Sequence, residues 1–223
     1  MAAAFLFDMD GTIVDNMGYH SASWVRFFAN RGRAIDEAAF FAATAGRQNQ
    51  EIMREYIGAH LLDDEVHALG REKEAVYREL YQPHRRTVAG FDDLIAGAKA
   101  QGIKLGVATA APPENITFIL DGLELRTHFD AIAWASEAGR GKPHPDVFLL
   151  AAERCGVPPA DCIVFEDAPL GVEAARRAGM RAVVLTTTMA ADQFAEFDNV
   201  IAIVTDFTEL SLPALLAQLP ASI

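Results

Sequence analysis

The sequence predicts an α/β protein with a parallel sheet, interrupted after its first strand by a block of helices. Three observations carry that expectation. Near the N-terminus the apolar run Phe5-Leu6-Phe7 meets Asp8-Met9-Asp10-Gly11-Thr12, as a buried strand meets a turn. From about Tyr19 to Tyr81 apolar residues recur at helical spacing, with no convincing strand. From Phe91 onward helical and extended patterns alternate, the signature of βα units around a parallel sheet.

The first strand runs into two acids spaced two apart. Strand side chains alternate, so Asp8 and Asp10 are expected on one side, just past the strand's carboxyl end. In open α/β sheets that end is where ligands bind. Paired carboxylates beside an apolar strand repel each other, and a divalent cation relieves the repulsion. Gly11 permits a tight turn there. Taken alone, the same pattern also fits a strand end where two solvated acids flank a turn.

Asp15-Asn16 marks a first hinge. The stretch from Tyr19 to Asn30 sets His20, Trp24, Phe27 and Phe28 along one helical stripe, and Gly32 stops it. Asp36 opens a short helix through Phe40 and Phe41. Gly46-Arg47-Gln48-Asn49-Gln50 breaks the pattern before Ile52, Met53 and Ile57 resume it. Asp63-Asp64-Glu65 suits a helix N-terminus, and an amphipathic stretch continues to about Tyr81. About four helices therefore form an inserted unit over 16–85, and the proline-marked segment from Pro83 to Gly90 is the second hinge. Residues 1–15 and 86–223 remain as the α/β core. There the expected strands cover 103–108, 129–133, 163–165, 181–185 and 200–204. Helices are expected from Phe91 to Gly102, through Phe118 and Leu120, up to Gly156, and from Leu170 to Ala178.

Composition bounds the partners. A chain of 223 residues with 51% hydrophobic and 22% charged residues is ordinary for a soluble globular protein. Its formal net charge of −12 argues against nucleic acid and anionic membranes. No apolar run approaches the ~20 residues that span a bilayer, and the N-terminus lacks a basic n-region. The expected location is the cytoplasm. Cys155 and Cys162, the two cysteines, read as buried thiols rather than a disulfide or a metal site.

Four strand ends carry polar residues. The first has Asp8 and Asp10, the second Thr109, a third region Lys142 before a proline-marked helix start, and the fourth Glu166-Asp167. Singly these also read as a helix cap, a solvated lysine and first-turn acids. Together at matching strand ends, three or more carboxylates call for a cation, and a threonine with a lysine supplies contacts for an anion.

On these residues the chain resembles the haloacid dehalogenase superfamily of phosphohydrolases, in its β-phosphoglucomutase-like branch. Asp8-Met9-Asp10-Gly11-Thr12 resembles the first motif, Thr109 the second and Lys142-Pro143 the third. Phe165-Glu166-Asp167-Ala168-Pro169-Leu170-Gly171 resembles the fourth. The resemblance implies a Rossmann-like, doubly wound parallel sheet with a four-helix cap inserted after the first motif. It implies Asp8 as nucleophile, Asp10 as acid and base, and Mg²⁺ held by Asp8, the Asp10 carbonyl and Asp167, with Glu166 a ligand or its neighbour. Thr109 and the Ala110 N–H would bind phosphoryl oxygens, and Lys142 would neutralise Asp8. Asp10 sets the chain apart from the dehalogenases and phosphonatases of the superfamily, which lack an acid there.

In the cap, the branch's histidine and tryptophan match His20 and Trp24, and the cations that hold a second phosphate in mutases point to Lys73 and Arg47. Asn49 stands where the mutase arginine aligns, and Arg47 lies two residues earlier. The alternatives are a histidine packed on Trp24 and Phe27, and solvated cap charges. Pro112 and Pro113 also replace polar residues of the mutase loop. The expectation is a monomeric Mg²⁺-dependent phosphatase of a small phosphorylated metabolite, most of all a sugar phosphate. A β-phosphoglucomutase-type phosphotransferase is the alternative, and a non-catalytic binding module a remoter one.

Overall fold

The computed structural model describes residues 3–44 and 49–219. In chain order the elements are β1 (Ala4–Phe7), α1 (Met17–Ala29), α2 (Glu37–Thr44), α3 (Asn49–Tyr56), α4 (Asp63–Tyr81), α5 (Phe91–Ala100), β2 (Lys104–Thr109) and α6 (Pro113–Leu120). There follow β3 (Ala131–Trp134), α7 (Ala135–Ala138), α8 (Asp146–Cys155), β4 (Cys162–Glu166), α9 (Pro169–Arg177), β5 (Arg181–Leu185), β6 (Val200–Val204) and α10 (Leu212–Leu216). The chain divides into two compact units, Met1–Asp15 with Arg86–Ile223, and Asn16–Arg85. No described helix is long and apolar enough to cross a membrane.

The first unit holds one six-stranded parallel sheet in the order β3-β2-β1-β4-β5-β6. A parallel sheet covered on both faces needs apolar side chains pointing both ways, which explains the unbroken run of β1. Phe5 and Phe7 face one layer, where Phe7 stacks on Phe165 with centroids 4.5 Å apart and meets Phe91 of α5 edge-on at 5.3 Å. Ala4 and Leu6 face the other, among Val147, Phe148, Ala151 and Ala152 of α8 and Val172 and Ala175 of α9. All four residues of β1 are fully buried. Both cysteines are free and buried in this unit.

Strand order reverses around β1, whose neighbours are β2 on one side and β4 on the other. That reversal opens a crevice at the carboxyl ends of the strands. Phe7 lies in register with Val107 of β2 and Phe165 of β4, so the residues following all three strands meet there.

Three local expectations change. The side-chain alternation invoked for Asp8 and Asp10 does not apply, because β1 ends at Phe7 and a turn follows in which the N–H groups of Ile13 and Val14 both donate to the Met9 carbonyl. The strand expected at 129–133 starts at Ala131, since the Asp130 carboxylate is engaged by the Leu105 N–H and the Lys104 ammonium. Asn49 and Gln50, expected in a break, form the first turn of α3.

In the second unit, Trp24, Phe27 and Phe28 of α1 pack with Phe40, Ile52, Met53 and Val66 as a core of its own. Asp36 caps α2 by accepting the Ala39 N–H at 2.7 Å, and Glu65 caps α4 by accepting the Leu62 N–H at 2.9 Å.

Candidate active site

Asp8, the first residue after β1, is tied to its neighbour strand by its N–H, which donates to the Phe165 carbonyl at 3.0 Å. Glu166 ends β4 and Asp167 follows it, so register alone puts three carboxylates at one place. Their oxygens lie within 4.8 Å of one another, and all three residues are buried. Lys142, from the loop before α8, donates to Asp8 Oδ1 at 2.8 Å and to Glu166 Oε1 at 2.5 Å. Glu166 Oε2 accepts the N–H groups of Asp167 and Ala168, at 2.9 and 3.0 Å. Thr12 donates its hydroxyl to Asp167 Oδ1 at 3.3 Å.

One ammonium faces three acids, and the electrostatics reflect the imbalance. Burial pushes Asp8 up to about 7, against the pull of Lys142 and with the push of Glu166 and Asp10. Burial, then Glu166 and Asp8, raises Asp167 well above the usual carboxylate range. Burial alone would lower Lys142, but Asp8 and Glu166 outweigh it and hold the ammonium above its ordinary value. Such a set fits a hard divalent cation, which takes carboxylate and carbonyl oxygens and stabilises their ionised form. Glu166 already spends one oxygen on Lys142 and the other on two backbone N–H groups. Asp8 and Asp167 are therefore the carboxylates best disposed to hold an ion.

Two glycines make this crowding possible. A Cβ on Gly171 would lie 1.8 Å from Glu166 Oε1, and one on Gly11 would lie 2.0 Å from Asp167 Oδ2. Gly11 also has φ of +81°, a conformation that disfavours any side chain. We expect Gly171→Ala to lower stability by about 1–3 kcal/mol, the range for overpacking, and to cut turnover by displacing Glu166 from Lys142. Gly70→Ala is the control, because a Cβ there meets nothing within 4 Å. Its urea midpoint should stay level or rise, so equal losses in both variants would contradict the account.

Thr109 ends β2, two residues beyond the partner of Phe7. It does not cap the next helix, which starts at Pro113 behind Pro112. Its Oγ1 instead accepts the Ala111 N–H at 3.0 Å, bending the chain so that Ala110 is exposed. Asp10 lies in the turn after β1, bridged to Val14.

Sequence reasoning missed Thr187 and Thr188, on the loop after β5. Thr187 donates its hydroxyl to the Gly11 carbonyl, and the Thr188 hydroxyl favours the ionised form of Asp167. Three threonines directly after an apolar strand were the available signal, the same one that singled out Thr109.

The helical unit gathers two other expected residues. His20 stacks on Tyr77 with centroids 3.8 Å apart, and its Nδ1 lies 2.9 Å from Lys73 Nζ. Lys73 is 1% exposed and donates to Glu74 Oε1 at 2.9 Å, which also accepts from Asn49 Nδ2 at 2.7 Å. Lys73 is thus a buried, paired charge rather than a solvated one. Tyr77, not Trp24 or Phe27, is the ring stacked on His20. Arg47 lies outside the described residues.

A family model described as haloacid dehalogenase-like hydrolase matches residues 2–179. The validoxylamine A 7'-phosphate phosphatase of Streptomyces hygroscopicus subsp. limoneus is 33% identical over 93% of this chain and 95% of its own. The fructose-1-phosphate phosphatase of Escherichia coli strain K12 is 36% identical over 81% of this chain and 95% of its own. Among solved structures, a HAD hydrolase of family IA, variant 3, from Entamoeba histolytica superposes with a TM-score of 0.89 at 25% identity. The match covers 98% of this chain and 99% of that one.

Proposed function

Because this chain belongs to the haloacid dehalogenase-like hydrolases, we propose that it is a Mg²⁺-dependent phosphatase of small phosphate monoesters, sugar phosphates first among them. The observation that carries the reading is the buried chain Asp8–Lys142–Glu166 with Asp167 beside it. Two of its phosphatase relatives are named for validoxylamine A 7'-phosphate and fructose 1-phosphate, which favours a polyhydroxylated leaving group.

Lys142 holds Asp8 Oδ1, and the Asp8 carboxylate attacks phosphorus. The bond between phosphorus and the sugar oxygen breaks, and Asp10 delivers a proton to that oxygen. Asp10 then takes a proton from water as the water attacks the aspartyl phosphate, which frees phosphate and restores Asp8. Thr109 and the Ala110 N–H hold phosphoryl oxygens. Mg²⁺ bound by Asp8, Asp167 and the Asp10 carbonyl would supply positive charge to the transferring group and keep Asp8 ionised.

Lys73 carries its own counter-charge in Glu74, and by resemblance Asn49 stands where a mutase's second cation would align. Both favour water over a phosphosugar as acceptor. The test is phosphate release from fructose 1-phosphate, β-glucose 1-phosphate and other monophosphates with Mg²⁺, with glucose 6-phosphate assayed in parallel. We expect phosphate release that stops in EDTA and returns with added Mg²⁺. Glucose 6-phosphate forming ahead of phosphate would transfer the protein to the mutases, and undiminished turnover in EDTA would remove the metal.

A further inference from the structure

The Thr187-Thr188 loop does something the phosphatase chemistry does not by itself require. It leaves β5 at Leu185 and is anchored at once, since the Thr186 N–H donates to the Val204 carbonyl of β6 at 2.9 Å. Thr187 then ties the loop to the first motif through the Gly11 carbonyl. The next side chain, Thr188, is thereby held against Asp167. A Cβ built on Gly11 would meet Asp167 Oδ2 at 2.0 Å and Thr188 Oγ1 at 2.8 Å, so carboxylate and hydroxyl border the same small space. Thr188 Oγ1 is buried, and among the described residues no atom meets it in full hydrogen-bonding geometry. An unsatisfied buried hydroxyl costs free energy, and the acceptor that borders it is the Asp167 carboxylate.

We propose that Thr188 is a positioning residue of the metal site: its hydroxyl, set in place by the Thr187–Gly11 tie, orients Asp167 and its ion. The proposal rests on the Mg²⁺-dependent reading above and deepens it. Thr12 holds Asp167 Oδ1 at 3.3 Å, and Thr188 borders the opposite oxygen. Asp167 is then fixed from both sides, which matters because a ligand free to rotate binds an ion less tightly. Hydroxyl and carboxylate partners of metal ligands commonly change metal affinity by about 10–100-fold when removed.

The experiment is calorimetric titration of the EDTA-stripped protein with MgCl₂, alongside kcat and the half-saturating Mg²⁺ concentration. Thr188→Val keeps the shape and removes the hydroxyl, whereas Thr188→Ser keeps the hydroxyl. We expect Thr188→Val to weaken Mg²⁺ binding about tenfold or more and to raise the half-saturating Mg²⁺ concentration in step. Thr188→Ser should bind Mg²⁺ nearly as the unaltered protein does. Unchanged affinity in Thr188→Val overturns the proposal while leaving the metal site intact. Equal weakening in both variants, one of which keeps the hydroxyl, shows that the hydroxyl does not set the affinity and overturns it too. An unaltered protein that takes up no Mg²⁺ refutes the metal reading itself, and the role of Thr188 with it.

Discussion

Asp8→Asn is expected to abolish turnover, by a factor on the order of 10⁴ to 10⁶, as loss of a covalent nucleophile does. The amide neither attacks phosphorus nor becomes phosphorylated. The fold should survive, because Lys142 keeps Glu166 as its partner and Glu166 keeps its two backbone donors. The substitution also removes a carboxylate that burial already pushes up to about 7. The thermal midpoint without metal should therefore hold level or rise. Activity above a few per cent, in protein freed of the unaltered enzyme, would show that another group accepts the phosphoryl.

Lys142→Met should cost both activity and stability. It leaves Asp8, Glu166 and Asp167 buried together with no ammonium among them. Removing one partner of a buried ion pair typically costs about 3–5 kcal/mol. Part of that is recovered as a carboxyl takes up a proton, and Mg²⁺ should recover more by supplying positive charge. Turnover should not return with it, because Mg²⁺ does not replace the hydrogen bond that holds Asp8 Oδ1. Urea unfolding with and without Mg²⁺, beside phosphate release, separates the two effects. A variant as stable as the unaltered protein in EDTA would mean that the three acids share protons without need of Lys142.

The core of this arrangement was legible because its buried acids follow apolar strands, while Lys142 was marked by the prolines before α8. Phe5-Leu6-Phe7 before Asp8 and Ile163-Val164-Phe165 before Glu166 announce buried strands ending in charge. Periodicity does not say that β4 lies next to β1, and that pairing is what turns two acid-tipped strands into one site. Thr187 and Thr188 escaped notice because a threonine after a strand is common in turns, and only the tertiary tie to Gly11 distinguishes them. In the helical unit, Lys73 and Glu74 are adjacent on one helix, a spacing at which side chains do not ordinarily face each other. Their ion pair depends on how the lysine bends, and His20 and Asn49 reach the same seam from other helices. The run 46–50 read as a break because Gly46 opens it, yet Asn49 begins α3.

The measurement that bears most directly on the account is rapid acid quenching of the protein during turnover of a sugar phosphate, followed by mass spectrometry of its N-terminal peptide. The account predicts a phosphoryl group on Asp8, present only with Mg²⁺ and missing from Asp8→Asn. A phosphoryl group on another residue, or full turnover with Asp8 unmodified at every quench time, would contradict it.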